Sequence, residues 1–127
     1  MSKRVLLVDD DQDFVASVGE WLTVNGYEVA MAFDGASGIA KAREWKPDLI
    51  ILDVMMATDT EGIEVSRKIA ESPELRTIPV LLLTGIRKAK NLPFGLTPDE
   101  NWLPVRTVLE KPVPPETLLK EIQRLLP

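Results

Sequence analysis

Three short runs in this chain are apolar at every position rather than at alternate ones: VLLV at residues 5–8, LIIL at 49–52 and VLLL at 80–83. A strand with one wet face alternates. A strand covered on both faces does not, and that is the condition of an inner strand in a parallel sheet. Parallel neighbours need crossover connections, most often helices, and the segments between the runs have helical spacing. Phe14, Val18 and Leu22 recur at four residues with Val15 beside them, and Gly26 supplies a C-terminal stop. Ala36, Ile39, Ala40 and Arg43 mark a second helix, ended by Lys46-Pro47. Residues 61–72 mark a third, with Ile63, Ile69 and Ala70 inward and Pro73 beyond it. Tyr27, Val29 and Met31 alternate with Glu28 and Ala30, which predicts a strand with one more polar face. Val108 and Leu109 mark a last strand. Pro114-Pro115 then opens a helix with Leu118, Leu119, Ile122, Leu125 and Leu126 on one face. Strands alternating with helices predict an α/β fold with a doubly wound parallel sheet.

A length of 127 residues suits one domain, and no repeat, low-complexity tract or linker divides it. The domain is expected to span residues 1–127. It can bury roughly two-thirds of its unfolded surface, so it needs no disulfide or metal to fold. The chain has no cysteine and no histidine. That excludes disulfides, thiolate catalysis, Ser-His and Cys-His catalysis, and a role as phosphohistidine donor. The net charge of −5 and scattered lysines and arginines argue against direct nucleic-acid binding. The first apolar run is stopped by three aspartates, too early for a signal peptide, and no stretch has the length of a membrane span. A soluble cytoplasmic protein with no membrane partner is the expectation.

The irregular part lies between Gly85 and Val105, where Gly85, Pro93, Gly95, Pro98 and Pro104 disfavour a long helix. Inside it, Thr97-Pro98-Asp99-Glu100 forms a capping box with Pro at the first helical position. One helical turn is expected around Pro98 to Trp102, cut short by Pro104.

Ligands of open α/β sheets bind outside the carboxyl ends of the strands. Asp9, Asp10 and Asp11 follow Val8, Asp53 follows Leu52, Thr84 follows Leu83, and Lys111 follows the last strand. Two like charges about 4 Å apart repel by roughly 4 kcal/mol at an effective dielectric near 20. Such a cluster takes up a proton, pairs with Lys111 or binds a cation. Oxygen ligands without histidine or cysteine point to Mg²⁺. The metal and Lys111 could then neutralise an incoming phosphoryl group and make Asp53 a feasible nucleophile. Each residue also has an ordinary reading. Asp11 or Asp13 can cap the following helix, Asp53 can be a loop acid, Thr84 a strand-end hydroxyl bonded to backbone, and Lys111 a solvated lysine. Singly, those readings are favoured; four strand ends converging favour a site.

The segments VLLVDDD (5–11), DLIILDVMM (48–56), PVLLLTG (79–85) and LEKP (109–112), in this order, resemble the receiver domain of response regulators. The resemblance covers essentially the whole chain. It implies a chemotaxis-regulator-like, flavodoxin-like five-stranded sheet of order 2-1-3-4-5. It implies a phosphoprotein of a two-component or phosphorelay system that carries an aspartyl phosphate on Asp53. Asp9 and Asp10 would hold Mg²⁺ with Asp53 and the backbone carbonyl of Met55. Thr84 would hydrogen-bond the phosphoryl group, Lys111 would pair with it, and the Lys111-Pro112 bond would be cis. The partner would be a histidine kinase or a histidine phosphotransfer protein. The role is regulatory rather than enzymatic, limited to self-phosphorylation and slow dephosphorylation.

The chain departs from the family pattern at four places. Ala57 stands where a proline is usual, and Gly62 comes one residue late after Asp53. Val108 replaces the usual aromatic switch residue, and the family's fourth helix falls in the segment between Gly85 and Val105, where a shortened helix or a loop is expected. Output is therefore expected through that loop and Trp102; the equally weighted alternative is that Trp102 just covers the sheet edge where the fourth helix would lie. The alternative is a phosphorylation-independent protein-binding module on the same scaffold, which the altered switch favours and the intact acidic site opposes. A phosphohydrolase ranks last, because Met55 occupies the position of the required second carboxylate. No effector domain fits in 127 residues, so the chain acts alone or forms part of a longer protein.

Overall fold

Each apolar run lies within a strand in the computed structural model, which describes residues 2–53, 61–85 and 105–126. The strands are β1 (Arg4–Val8), β2 (Glu28–Ala32), β3 (Leu49–Asp53), β4 (Val80–Gly85) and β5 (Thr107–Lys111). The helices are α1 (Gln12–Val24), α2 (Gly35–Trp45), α3 (Glu61–Glu71) and α4 (Pro115–Leu125), four among the described residues. All strand pairs are parallel, and the order is β2-β1-β3-β4-β5, as the resemblance implied. Among the described residues no helix is long and apolar enough to cross a membrane.

Successive residues of the inner strands enter opposite cores, which is why their apolar runs are unbroken. Leu6, Val8, Ile50, Leu52 and Leu82 pack with Ala42, Ile63 and Ile69 of α2 and α3. Val5, Leu7, Ile51, Leu81 and Leu83 pack with Val15, Leu22, Leu118 and Ile122 of α1 and α4. The helix ends follow from local chemistry. Asp11 caps α1 by accepting from the Phe14 backbone N–H at 3.1 Å, and Gly26 just past the helix has φ 93°. Asp34 caps α2 by accepting from the Ser37 backbone N–H at 2.7 Å, while Lys46 ends it in a left-handed conformation before Pro47. Gly38 lets α2 lie close on β1, since a Cβ there would come within 2.9 Å of Val8 Cγ1.

Several expectations need correction. Asp53, Thr84 and Lys111 lie within β3, β4 and β5 rather than after them, because ladder hydrogen bonds use backbone groups whatever the side chain. The expected polar and apolar faces of β2 are not clean. Tyr27 and Val29 pack on one core and Ala30 on the other, while Met31 is 48% exposed, because β2 is an outer strand paired only with β1. Helix α3 also buries Val65 and Ser66, whereas Ala70 is only half-buried. Ser66 can be buried because its hydroxyl donates to the Ile63 carbonyl at 2.7 Å. On α4, Leu118 and Ile122 are buried, and Leu119 is half-buried. Met55, Ala57, the turn at 97–102 and the expected shortened helix or loop between Gly85 and Val105 lie outside the described residues.

Candidate functional site

The sheet register brings the singled-out residues to one edge. Val8 pairs with Leu52, so the next positions on those strands are Asp9 and Asp53. Asp53 pairs with Leu83, which puts Thr84 one residue farther along the adjacent strand, and Gly85 pairs with Lys111. Asp9, Asp53 and Thr84 are buried, and Asp10 is exposed.

Asp9 is held from three sides. Its backbone N–H donates to the Ala32 carbonyl at 3.1 Å. Its Oδ1 accepts from the Asp11 backbone N–H at 3.0 Å, and its Oδ2 accepts from Lys111 Nζ at 2.7 Å. The same ammonium lies 3.6 Å from Asp53 Oδ1. Lys111 thus bridges two carboxylates that each leave only 3–4% of their side chains exposed. Burial alone pushes the Lys111 ammonium toward losing its proton. The Asp9 hydrogen bond and the charges of Asp53 and Asp9 outweigh this and hold its pKa above the ordinary lysine value. Of the open ways to stabilise the acids, pairing with Lys111 is therefore realised. The ordinary reading of Lys111 as a solvated lysine is corrected: its side chain is 24% exposed and doubly paired. The Lys111-Pro112 bond is cis, as the resemblance implied.

One ammonium does not neutralise three acids. Asp9, Asp10 and Asp53 each place one carboxylate oxygen within 4.8 Å of the others. Mg²⁺ gathers oxygen ligands at about 2.1 Å, so three carboxylate oxygens this close together could serve one ion. An all-oxygen donor set is the chemistry that this ion prefers. Met55, the remaining expected ligand, is outside the described residues.

Sequence reasoning missed Phe14 as part of this site. Its ring lies under Lys111, with Nζ 4.3 Å from the centroid. Its spacing with Val18 and Leu22 was fully accounted for by helix packing. The available signal was its place in the first turn of a helix capped by Asp11, directly after the acids.

The chain is similar to known proteins in sequence and in fold. The family model described as the response regulator receiver domain matches residues 5–123. Protein PilH of Pseudomonas aeruginosa is 32% identical over 123 residues, covering 97% of both chains. Response regulator PleD of Caulobacter vibrioides is 43% identical over 86 residues, 68% of this chain but only 19% of PleD. The chain therefore spans a small part of that relative. The crystal structure of a CheY-like response regulator receiver domain protein from Methanospirillum hungatei superposes with a TM-score of 0.81 at 27% identity, covering 99% of this chain and 94% of that one. A family model matched over nearly the whole chain, on the fold that places these acids and this lysine together, means that the chain belongs to the response regulator receiver domain family.

Proposed function

We infer that this receiver domain is a phosphoacceptor switch in a two-component or phosphorelay system, phosphorylated on Asp53 in a Mg²⁺-dependent reaction. The phosphoryl donor is a phosphohistidine on a histidine kinase or histidine phosphotransfer protein. The observation that carries this reading is the Lys111 ammonium set between Asp9 and Asp53, beside a third acid, at the carboxyl edge of the sheet.

In the reaction, a carboxylate oxygen of Asp53 forms a bond to phosphorus as the donor's bond to phosphorus breaks. The leaving imidazole departs with that electron pair. Asp9, Asp10, Asp53 and the Met55 carbonyl would hold Mg²⁺, which when bound supplies positive charge to the phosphoryl oxygens. Lys111 already lies near Asp53 and supplies a second positive charge to the same oxygens. Thr84, buried one residue beyond the register partner of Asp53, donates its hydroxyl hydrogen to a phosphoryl oxygen. The domain regulates a protein target rather than turning over a substrate, and it works in the cytoplasm without membrane or nucleic-acid contact.

The metal site is tested first without a phosphodonor. Mg²⁺ at ten times its dissociation constant should stabilise the fold by roughly 1.4 kcal/mol, a rise in melting temperature of about 5 °C. Asp10→Ala should remove most of that rise. With acetyl phosphate as donor, the phosphoryl adduct should form in Mg²⁺ and not in EDTA. An adduct that forms equally in EDTA contradicts the metal-dependent reaction, and no thermal shift at millimolar Mg²⁺ contradicts the metal site.

A further inference from the structure

Four residues around the acidic edge close a ring of contacts. The Asp11 backbone N–H donates to Asp9 Oδ1 at 3.0 Å, and the Phe14 backbone N–H donates to Asp11 Oδ1 at 3.1 Å. The Phe14 ring faces Lys111 Nζ at 4.3 Å, and Lys111 Nζ returns to Asp9 Oδ2 at 2.7 Å. The cap of α1 thus fixes the backbone from which the ring projects, and the ring reaches the ammonium of a strand about a hundred residues away.

The two kinds of partner hold Lys111 differently. Asp9 and Asp53 are also members of the acid cluster, so a cation bound there would compete with the ammonium for their oxygens. The Phe14 ring attracts a cation through its π face but cannot ligate Mg²⁺ or accept a phosphoryl group. Lysine carries a point charge with three rotatable donors on a flexible four-carbon stem, so its ammonium can follow a change of acceptor. Among the described residues, the half-buried ring, packed against the α1–α4 core, is a contact of Lys111 that the chemistry at the acids leaves unchanged.

We propose that Phe14 is a positioning residue for phosphoryl transfer: its ring holds the Lys111 ammonium over the acidic edge while the ammonium passes from Asp9 to the phosphoryl oxygens on Asp53. This rests on the reading of Asp53 as phosphoacceptor. The ring acts only through Lys111 and touches neither the metal nor the phosphoryl group.

The test is a double-mutant cycle on the whole chain, with Phe14→Leu and Phe14→Tyr made in the wild-type and Lys111→Ala backgrounds. Phosphorylation by acetyl phosphate in Mg²⁺ is followed at saturating donor, well below each variant's melting temperature. Phe14→Leu keeps an apolar side chain but loses the π face, and the maximal rate should fall about fivefold, the scale of a partly desolvated cation–π contact. Phe14→Tyr should restore it. In the Lys111→Ala background, Phe14→Leu should change the rate by less than about twofold, because the group it acts on is gone. Ring-current shifts of the Lys111 ε-methylene protons give an independent readout. They should be upfield in wild type and Phe14→Tyr, and near free-lysine values in Phe14→Leu. An unchanged rate in Phe14→Leu, or an equal loss in both backgrounds, overturns the proposal. Absence of any phosphoryl uptake by wild type overturns the Asp53 reading and the catalytic part of the proposal with it. Lys111 signals without a ring-current shift overturn the positioning contact itself.

Discussion

Lys111→Ala is expected to slow phosphorylation from a small-molecule donor by about a hundredfold, the scale on which losing one preorganised charge at a developing anion is felt. A second consequence follows from the pairing. In metal-free buffer the variant leaves Asp9 and Asp53 buried without their ammonium. Breaking a buried pair from one side is destabilising. Partial solvent access to Lys111 moderates the cost, and roughly 1–2 kcal/mol of stability should be lost. Mg²⁺ should then stabilise the variant more than it stabilises wild type, because the cation takes over the role of the missing charge. Urea titrations with and without Mg²⁺ read both effects. A variant as stable as wild type without metal, and phosphorylated as fast, would restore Lys111 to the status of an ordinary surface lysine.

Leu82→Ala should be strongly damaging to the fold. Leu82 is 0% exposed, sits on β4 and pairs in register with Leu52 on one side and Val108 on the other. Truncation of such a leucine leaves a cavity and costs about 3 kcal/mol. That is a large share of the roughly 5–15 kcal/mol that stabilises a domain. The urea midpoint should fall while the slope stays the same, since the folded state remains the same. Met31→Ala, at an outer-strand position that is 48% exposed, should cost less than about 1 kcal/mol by the same measurement. Similar losses for the two would contradict the packing described for β4. Because Leu82 lies two residues before Thr84, the core variant should also disturb the site that the strand carries.

Most of the fold was legible because its physics is local. Residues 5–8, 49–52 and 80–83 are apolar throughout since helices cover both sides of β1, β3 and β4, and this shows in the residues themselves. The second and fifth strands gave weaker signals. As outer strands they have only one neighbour, so Met31, Val108 and Leu109 need not be buried and their alternation is blurred. Burial of Gly62 and Ser66 on α3 was not legible, because small residues carry little hydropathy and the Ser66 hydroxyl is satisfied inside its own helix.

The site was legible as residue types and not as contacts. Acids and a lysine at strand ends stand out against apolar runs, and the parallel topology requires those ends to meet on one edge. That Lys111 hydrogen-bonds Asp9 while standing farther from Asp53 depends on residues 102 positions apart, which no periodicity encodes. Phe14 was hidden for another reason: one ring does two things, packing against the core and facing the ammonium, and the first explains its spacing completely.

Asp53 is the proposed acceptor of the phosphoryl group. Intact-mass measurement after incubation with acetyl phosphate and Mg²⁺, on wild type and on Asp53→Asn, tests it most directly. Asparagine keeps the size of the side chain and removes the nucleophilic carboxylate, and both proteins should share the same far-UV circular dichroism. Wild type should gain the mass of one phosphoryl group, and Asp53→Asn should gain none. The same adduct on Asp53→Asn, or no adduct on a folded, Mg²⁺-binding wild type, would contradict the account.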